Sequence, residues 1–370
     1  MKRVKVSELI PGLITAEDVY SFNNQLIVEK GTVLTDEIIT RLEYYSVLSI
    51  RVEEKDAAPD NNVDTSVASS FKDTKPSLTY SQRIKATKQY IEFQKSFANN
   101  TEALQGYLHD IIEKNSINTE VMLQSVTSLI SKESTSIGMF DMLHSMRTYD
   151  DLTYVHSMSV SLICNMFGKW LSMSKEDIKV LTLAGLLHDI GKIAIPESII
   201  KKPSKLTSDE YRQVKLHTVE GYKILKNLNI DPRIKDAALM HHERCDGGGY
   251  PLSVRGDKIP DFAKIVAIAD VYDAMTAARV YRGPMCPFKV IAIFEEEGLQ
   301  KYDSRFILTF LENVGNAYLN NRVMLNDNRQ GDIVLIHNNA VSRPLIKLID
   351  GNFIDLEKEN RNTLYIDQLL

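Results

Sequence analysis

The sequence predicts a mainly α-helical protein: a helical bundle with a small N-terminal α/β module and a short C-terminal β appendage. Three observations predict it. Apolar residues recur at helical spacing over most of the chain after Tyr80. Short alternating runs separated by turn residues precede that region, and strand-turn-strand patterns follow it after Arg322.

The N-terminal module spans 1–54. Arg3-Val4-Lys5-Val6 alternates, Pro11-Gly12 marks a turn, and Gln25-Leu26-Ile27-Val28 runs into Lys30-Gly31. Thr35-Asp36-Glu37 opens a short capped helix through Ile38, Ile39 and Leu42, and Ser49-Ile50-Arg51-Val52 closes the unit as a strand. This segment holds no chemical constellation and reads as an accessory or regulatory module. Residues 55–78, rich in Asp, Asn, Ser, Lys and Pro, read as a linker. A helical connector follows over 79–147. Its stripes run through Ile84, Tyr90, Phe93 and Phe97, then Leu104, Leu108, Ile111 and Ile112, then Val121, Leu123, Val126, Leu129 and Ile130. Polar breaks are expected at Asn99-Asn100 and Lys114-Asn115-Ser116. The helical habit continues over 148–322, which carries most of the histidines. The β appendage, 323–370, is predicted from Asp332–Ile336, Pro344–Leu348 and Asn352–Leu356, separated by Asn338-Asn339 and Asp350-Gly351.

Composition excludes several classes. A chain of 370 residues with 44% hydrophobic and 25% charged residues is ordinary for a globular protein. A net charge of -5 argues against affinity for long nucleic acids, though not against a small anionic ligand in a local pocket. Cys164, Cys245 and Cys286 form no paired motif and imply no disulfide framework. Lys2, Arg3, Lys5 and Glu8 break up any signal-peptide core, and no run reaches the roughly 20 apolar residues that cross a membrane. A cytoplasmic protein with no membrane contact is predicted.

The chemistry lies in one constellation. Five of the eight histidines fall between His156 and His242. In order the candidates are His156, the His188-Asp189 pair, His217, the His241-His242 pair and Asp270. His188-Asp189 ends an apolar run that starts near Val180, and Asp270 follows Ile265-Val266-Ala267-Ile268-Ala269. An aspartate there is costly to bury unless paired or metal-bound. Imidazoles and carboxylates without a thiol suit Fe, Mn, Zn or Ni rather than a structural zinc-thiolate site. These seven donors are too many for one ion with open positions. They suit two ions about 3.5–4 Å apart that share Asp189, with room for a hydroxide and substrate oxygens, an arrangement for phosphoester hydrolysis. Lys192, Arg279 and Arg282 are cations suited to a phosphate. Gly247, Gly248 and Gly249 let the loop after the histidine pair approach a ligand, Tyr250 supplies an aromatic face or hydroxyl, and Pro251 stiffens its end. His109, His144 and His337 lie outside the pattern.

The ordered set His156, HDIGK at 188–192, His217, HHERCDGGGYP at 241–251 and DVYDAMTAARVYR at 270–282 resembles the HD-GYP family of cyclic di-GMP phosphodiesterases. Ile195-Pro196, Lys202-Pro203, Lys205-Leu206-Thr207 and Gly221 also match, and the segment before the linker looks like the accessory domain that often precedes such domains. The resemblance implies an all-helical catalytic domain that cleaves cyclic di-GMP to linear pGpG, with GMP as an onward product left open. It implies one metal held by His156, His188, Asp189 and Asp270, and a second held by Asp189, His217, His241 and His242. Lys192, Arg279, Arg282, Gly249 and Tyr250 would meet the substrate. Asp150 matches an acidic position near the substrate phosphate, so the catalytic set is Asp189, Lys192 and Asp150. Asp273 matches a supporting acid behind the ligands. Three-metal members carry a glutamate four residues before the first histidine; here Leu152 stands there, and a helix turns the neighbouring Asp151 about 100° away. Two divalent transition-metal ions, Fe or Mn first, are therefore predicted. The rival expectation is a cyclic dinucleotide sensor or protein-interaction module without turnover. A homodimer and a signalling partner protein stay open.

Overall fold

The computed structural model describes residues 87–130, 152–202, 204–277 and 285–370 without a break. Before Thr87 it describes 2–6, 9–10, 12–20, 26–35, 38–39, 42, 47 and 49–53, and between the first two long stretches 139–140 and 142–143. The linker at 55–78 and the candidate residues Asp150, Arg279 and Arg282 lie outside the described residues, as does the side chain of Leu152.

Four short strands, β1 (Lys2–Lys5), β2 (Val19–Tyr20), β3 (Leu26–Val28) and β4 (Ser49–Val52), pair antiparallel as β1–β4 and β2–β3. Their inward residues, with Leu34, Ile39 and Leu42, form a small core of their own. Thr35 accepts a hydrogen bond from the Ile38 amide at the start of the expected helix.

Helix α1 (Lys88–Lys114) opens on Thr87, which caps the Tyr90 amide, and closes on Asn115 in the left-handed region at φ 46°. It passes unbroken through Asn99 and Asn100, where the sequence had suggested a break. Two asparagines cost little helix propensity, and the buried stripe of Tyr90, Phe93, Phe97, Leu104, Leu108 and Ile111 stays in register across them. Asn100 is further tied to the Ser128 hydroxyl. Helix α2 (Thr119–Thr127) follows on the Asn118 cap, whose side chain accepts from the Val121 amide.

The helices that follow form the main core. They are α3 (Leu152–Trp170), α4 (Lys175–Leu187), the one-turn α5 (Glu197–Ile200), α6 (Ser208–Lys215), α7 (His217–Leu225), α8 (Pro232–Met240) and α9 (Asp261–Thr276). Beyond them come α10 (Pro287–Ile293), a π-helical turn at Phe294–Gly298, α11 (Leu299–Lys301) and α12 (Ser304–Ala317). Phe140, ahead of α3, packs ring against ring in one cluster that includes Phe167 and Trp170 of α3, Tyr272 of α9 and Phe310 of α12. Burial of such rings dominates core energetics. Among the described residues no helix is long and apolar enough to cross a membrane.

The C-terminal unit is one antiparallel sheet ordered β8-β7-β6-β5-β9. The three central expectations appear as β6 (Gln330–His337), β7 (Ala340–Leu348) and β8 (Phe353–Asp355). Two further strands, β5 (Arg322–Leu325) and β9 (Ile366–Leu369), extend it. Val323, Leu325, Ile333, Val341 and Ile346 join the same buried cluster as the helices. Contact is close: a Cβ on Gly315 of α12 would lie 2.3 Å from Val341. Ser342 donates its amide to Glu295, and Lys289 pairs with Asp367 at 2.6 Å.

Candidate metal and phosphate site

The donors arrive from five places along the chain, His188-Asp189 and His241-His242 as adjacent pairs at helix ends, and in most cases a local feature sets their position. His156 lies in the first turns of α3. Helix α4 is capped at its start by Ser174 and ends at His188; Asp189 then begins a short 3-10 turn over Ile190–Ala194. Helix α6 starts on a full capping box between Thr207 and Glu210, and α7 begins at His217. Helix α8 starts on the Asp231 cap with Pro232 in its first turn and delivers His241 at its end. Asp270 and Asp273 stand three apart on α9 and so share a face.

Close backbone approach is needed at two glycines. A Cβ on Gly191 would lie 1.9 Å from the His217 carbonyl oxygen, so only glycine lets the turn after Asp189 pack on the start of α7. A Cβ on Gly249 would lie 2.5 Å from the Arg244 nitrogen. Glu243, only 3% exposed, holds that second loop closed. Its Oε1 accepts from the Leu252 and Ser253 amides at 2.6 and 3.0 Å, and its Oε2 from Val254 at 3.2 Å. The Cys245 amide anchors the loop to the Lys301 carbonyl at 2.8 Å.

The seven predicted donors come together. Asp189, His217, His241 and His242 form one group, and His156, His188 and Asp270 a second; within each, one ligand atom per residue lies within 4.8 Å of the others. Asp189 joins them. Its Oδ1 faces His217 Nε2 at 3.3 Å and His241 Nε2 at 3.8 Å. Its Oδ2 faces His188 Nε2 at 3.3 Å and His156 Nε2 at 3.7 Å. His242 Nδ1 reaches Asp270 Oδ2 at 3.7 Å across the two groups.

The rings are oriented from behind. His188 Nδ1 lies 2.7 Å from the Gly185 carbonyl, His217 Nδ1 2.6 Å from Val214, and His241 Nδ1 3.0 Å from Ala237. His156 Nδ1 lies 2.8 Å from Asp273 Oδ2. A ring whose Nδ1–H is donated this way presents its Nε2 lone pair forward, the arrangement metal-binding histidines show. His188 Nε2 and Asp189 Oδ1 are buried without a hydrogen-bond partner, and His156 Nε2 has only the Asp270 carboxylate close by, 2.9 Å away. Buried polar atoms are rarely left so, and a cation would satisfy all three. The donor set thus fits metal ions.

The charges agree. Burial lowers His217, His241 and His242, the last to about 4, so these rings are neutral at neutral pH. Burial opposes ionisation of Asp189, but Lys192 and the imidazoles of His188 and His217 hold it well below the usual carboxylate range. Burial likewise opposes Asp270, which His156 holds low. His156 is the exception: against burial, Asp270 and Asp273 push it up to about 9, so with no cation present its Nε2 carries a proton that a metal ion there would have to displace. Lys192, partly exposed at the rim, is ion-paired with Asp189 Oδ2. Tyr250 stacks on His242 with ring centroids 4.7 Å apart, and burial pushes its phenol up.

The predicted Lys192, Gly249 and Tyr250 therefore border the donor cluster. His109 instead pairs with Glu113 on the surface of α1, and His337 of β6 with Asp355 at the end of β8 and Glu357 in the turn after it; His144 lies outside the described residues. Sequence reasoning passed over Glu243. The signal available was an acid directly after the histidine pair and ahead of a glycine-rich loop.

A family model described as HD domain matches residues 120–306. The Pseudomonas aeruginosa protein named cyclic di-GMP phosphodiesterase PA4108 is 32% identical over 204 residues, 55% of this chain and 49% of that protein. The Xanthomonas campestris protein named cyclic di-GMP phosphodiesterase response regulator RpfG is 42% identical over 128 residues, 33% of each chain. The Vibrio cholerae protein named 3'3'-cGAMP-specific phosphodiesterase 1 is 40% identical over 145 residues, 39% of this chain and 34% of that one. The chain spans about half or less of the length of these relatives.

Proposed function

The chain belongs to the HD domain family and, pairing His188-Asp189 with Gly249-Tyr250-Pro251, to its HD-GYP branch. From that premise we propose that it hydrolyses a phosphodiester bond of a cyclic dinucleotide, cyclic di-GMP first, to give linear pGpG. The activity is assigned to 148–322, with 1–54 as an accessory module and the sheet at 323–370 as an appendage, in the cytoplasm. The observation that carries the reading is the Asp189 carboxylate, whose two oxygens face different donor groups. The names of the relatives support the substrate class.

His156, His188, Asp189 and Asp270 would hold one ion, and Asp189, His217, His241 and His242 the other. Such ions, when bound, activate a water and neutralise charge on the phosphate. The Nδ1 hydrogen bonds keep the rings aimed, so little reorganisation accompanies binding. Asp273 orients His156 from behind. Lys192 is the cation within reach of an incoming phosphate, and Tyr250, fixed on His242, positions the ligand. Asp150, Arg279 and Arg282 complete the proposed substrate contacts.

The test is anaerobic purification with Fe or Mn, followed by elemental analysis and product identification on one preparation. About two metals per chain and release of pGpG are expected. The substrate panel includes 3'3'-cGAMP, because relatives named for that substrate align over the same region. Tight binding of every cyclic dinucleotide with no product refutes the enzymatic reading in favour of a sensor.

A further inference from the structure

Beside the donor cluster stands a cation that the reading above does not use. Lys215, the last residue of α6, carries its Nζ 5.3 Å from the Tyr211 ring centroid and 5.7 Å from that of Tyr250. The first contact is an i,i+4 neighbour on one helix and is common on helix surfaces. The second is not local: Tyr250 comes from a loop 35 positions on (250 against 215). Neighbouring cations are neutralised, Lys202 by Glu210, Arg212 by Asp209 and Lys223 by Glu220. Among the described residues no carboxylate pairs with Lys215. Tyr211 is 50% exposed and offers its ring to the solvent side.

These groups form a ladder leading outward from the cluster: His242, Tyr250 stacked on it, the Lys215 ammonium, then Tyr211. Alternating rings and an unpaired cation suit a ligand that alternates bases and phosphates. We propose that Lys215 and Tyr211 form a second subsite, in which Lys215 binds the phosphate of the cyclic dinucleotide that is not cleaved and Tyr211 stacks on a base. This subsite rests on the function proposed above and extends it. It favours substrates with two phosphates over simple phosphodiesters.

The experiment compares the metal-loaded full chain with Lys215→Gln, Lys215→Arg and Tyr211→Leu. Each is assayed on cyclic di-GMP and on bis(p-nitrophenyl) phosphate, which has one phosphate and no base, and cyclic di-GMP affinity is measured by calorimetry. Loss of one charge-assisted phosphate contact is expected to raise KM and Kd for cyclic di-GMP about tenfold in Lys215→Gln, with kcat changed far less. The ratio of kcat/KM on cyclic di-GMP to that on bis(p-nitrophenyl) phosphate then falls by about the same factor, and Lys215→Arg restores it. Equal losses on both substrates would mean a structural role and overturn the subsite. So would an unchanged KM and Kd in a protein whose wild type processes cyclic di-GMP. A wild type that neither binds nor cleaves any cyclic dinucleotide overturns the subsite and the proposed function together.

Discussion

Glu243→Gln tests how the loop carrying Gly249 and Tyr250 is held. In the wild type one buried carboxylate accepts from three consecutive amides, those of Leu252, Ser253 and Val254. The amide side chain keeps one acceptor oxygen for Leu252 and Ser253 but turns an NH2 group toward the Val254 N–H. Hydrogen bonds to a charged group contribute about 1.5–3 kcal/mol and neutral ones about half of that, so two bonds weaken and a third is lost, roughly 3–6 kcal/mol in all. That corresponds to local opening on the order of a hundredfold or more easier. Hydrogen exchange reads it directly: protection of the three amides is expected to collapse, while that of Leu181 and Leu187 in the core of α4 stays as it was. Because Tyr250 stacks on His242 through this loop, KM for the dinucleotide rises about tenfold in parallel. Unchanged protection at 252–254, or an equal fall throughout the domain, refutes the assignment of Glu243 as the loop's anchor.

Three further outcomes are expected. Asp189→Asn leaves a single carboxylate-type oxygen where two are needed, so metal content should fall from about two per chain toward one or none and turnover by at least about a hundredfold; a variant retaining both on elemental analysis and assay refutes the shared-ligand reading. Gly191→Ala drives a methyl group into the His217 carbonyl, so the soluble, folded yield should drop sharply and far-UV circular dichroism melts should shift several degrees lower; a melting curve like that of the wild type would show that the turn can move aside. Asp303, held below its ordinary 3.8 by Arg305 against burial and further by Lys264, has a lower pKa folded than unfolded. Its contribution is therefore present above about pH 4 and lost as the pH falls further. The melting temperature of the wild type should accordingly fall more steeply below pH 4 than that of Asp303→Asn, and parallel curves would remove Asp303 from the acid transition.

The site was more legible in the sequence than its surroundings. Residues able to hold a metal ion are of few types, so His156, His188-Asp189, His217, His241-His242 and Asp270 stood out against apolar flanks, and the structure draws all seven into two adjoining groups. The residues that support them carry no such restriction. Glu243 and Lys215 look like ordinary surface charges until the chain folds a loop over one and a tyrosine beside the other. In the sheet, β6 and β7 were readable because they are long, and the three-residue β8 because the Asp350-Gly351 turn marks its start. Strands β5 and β9 span four residues each and owe their conformation to pairing with each other across the chain. The unbroken α1 shows the converse: two asparagines signalled a turn, and a continuous buried stripe outweighed them.

Asp189 has a thermodynamic consequence. Because Oδ1 serves one donor group and Oδ2 the other, rotation of a single carboxylate alters both at once. Whatever orders that side chain for the first cation also prepares it for the second, and reciprocity requires the second to tighten the first by the same factor. If two ions bind as proposed, and this ordering outweighs the repulsion between them, loading is cooperative with a Hill coefficient above one. On the proposed two-ion reading, such a protein would respond to metal supply as a switch between empty and complete rather than in graded steps.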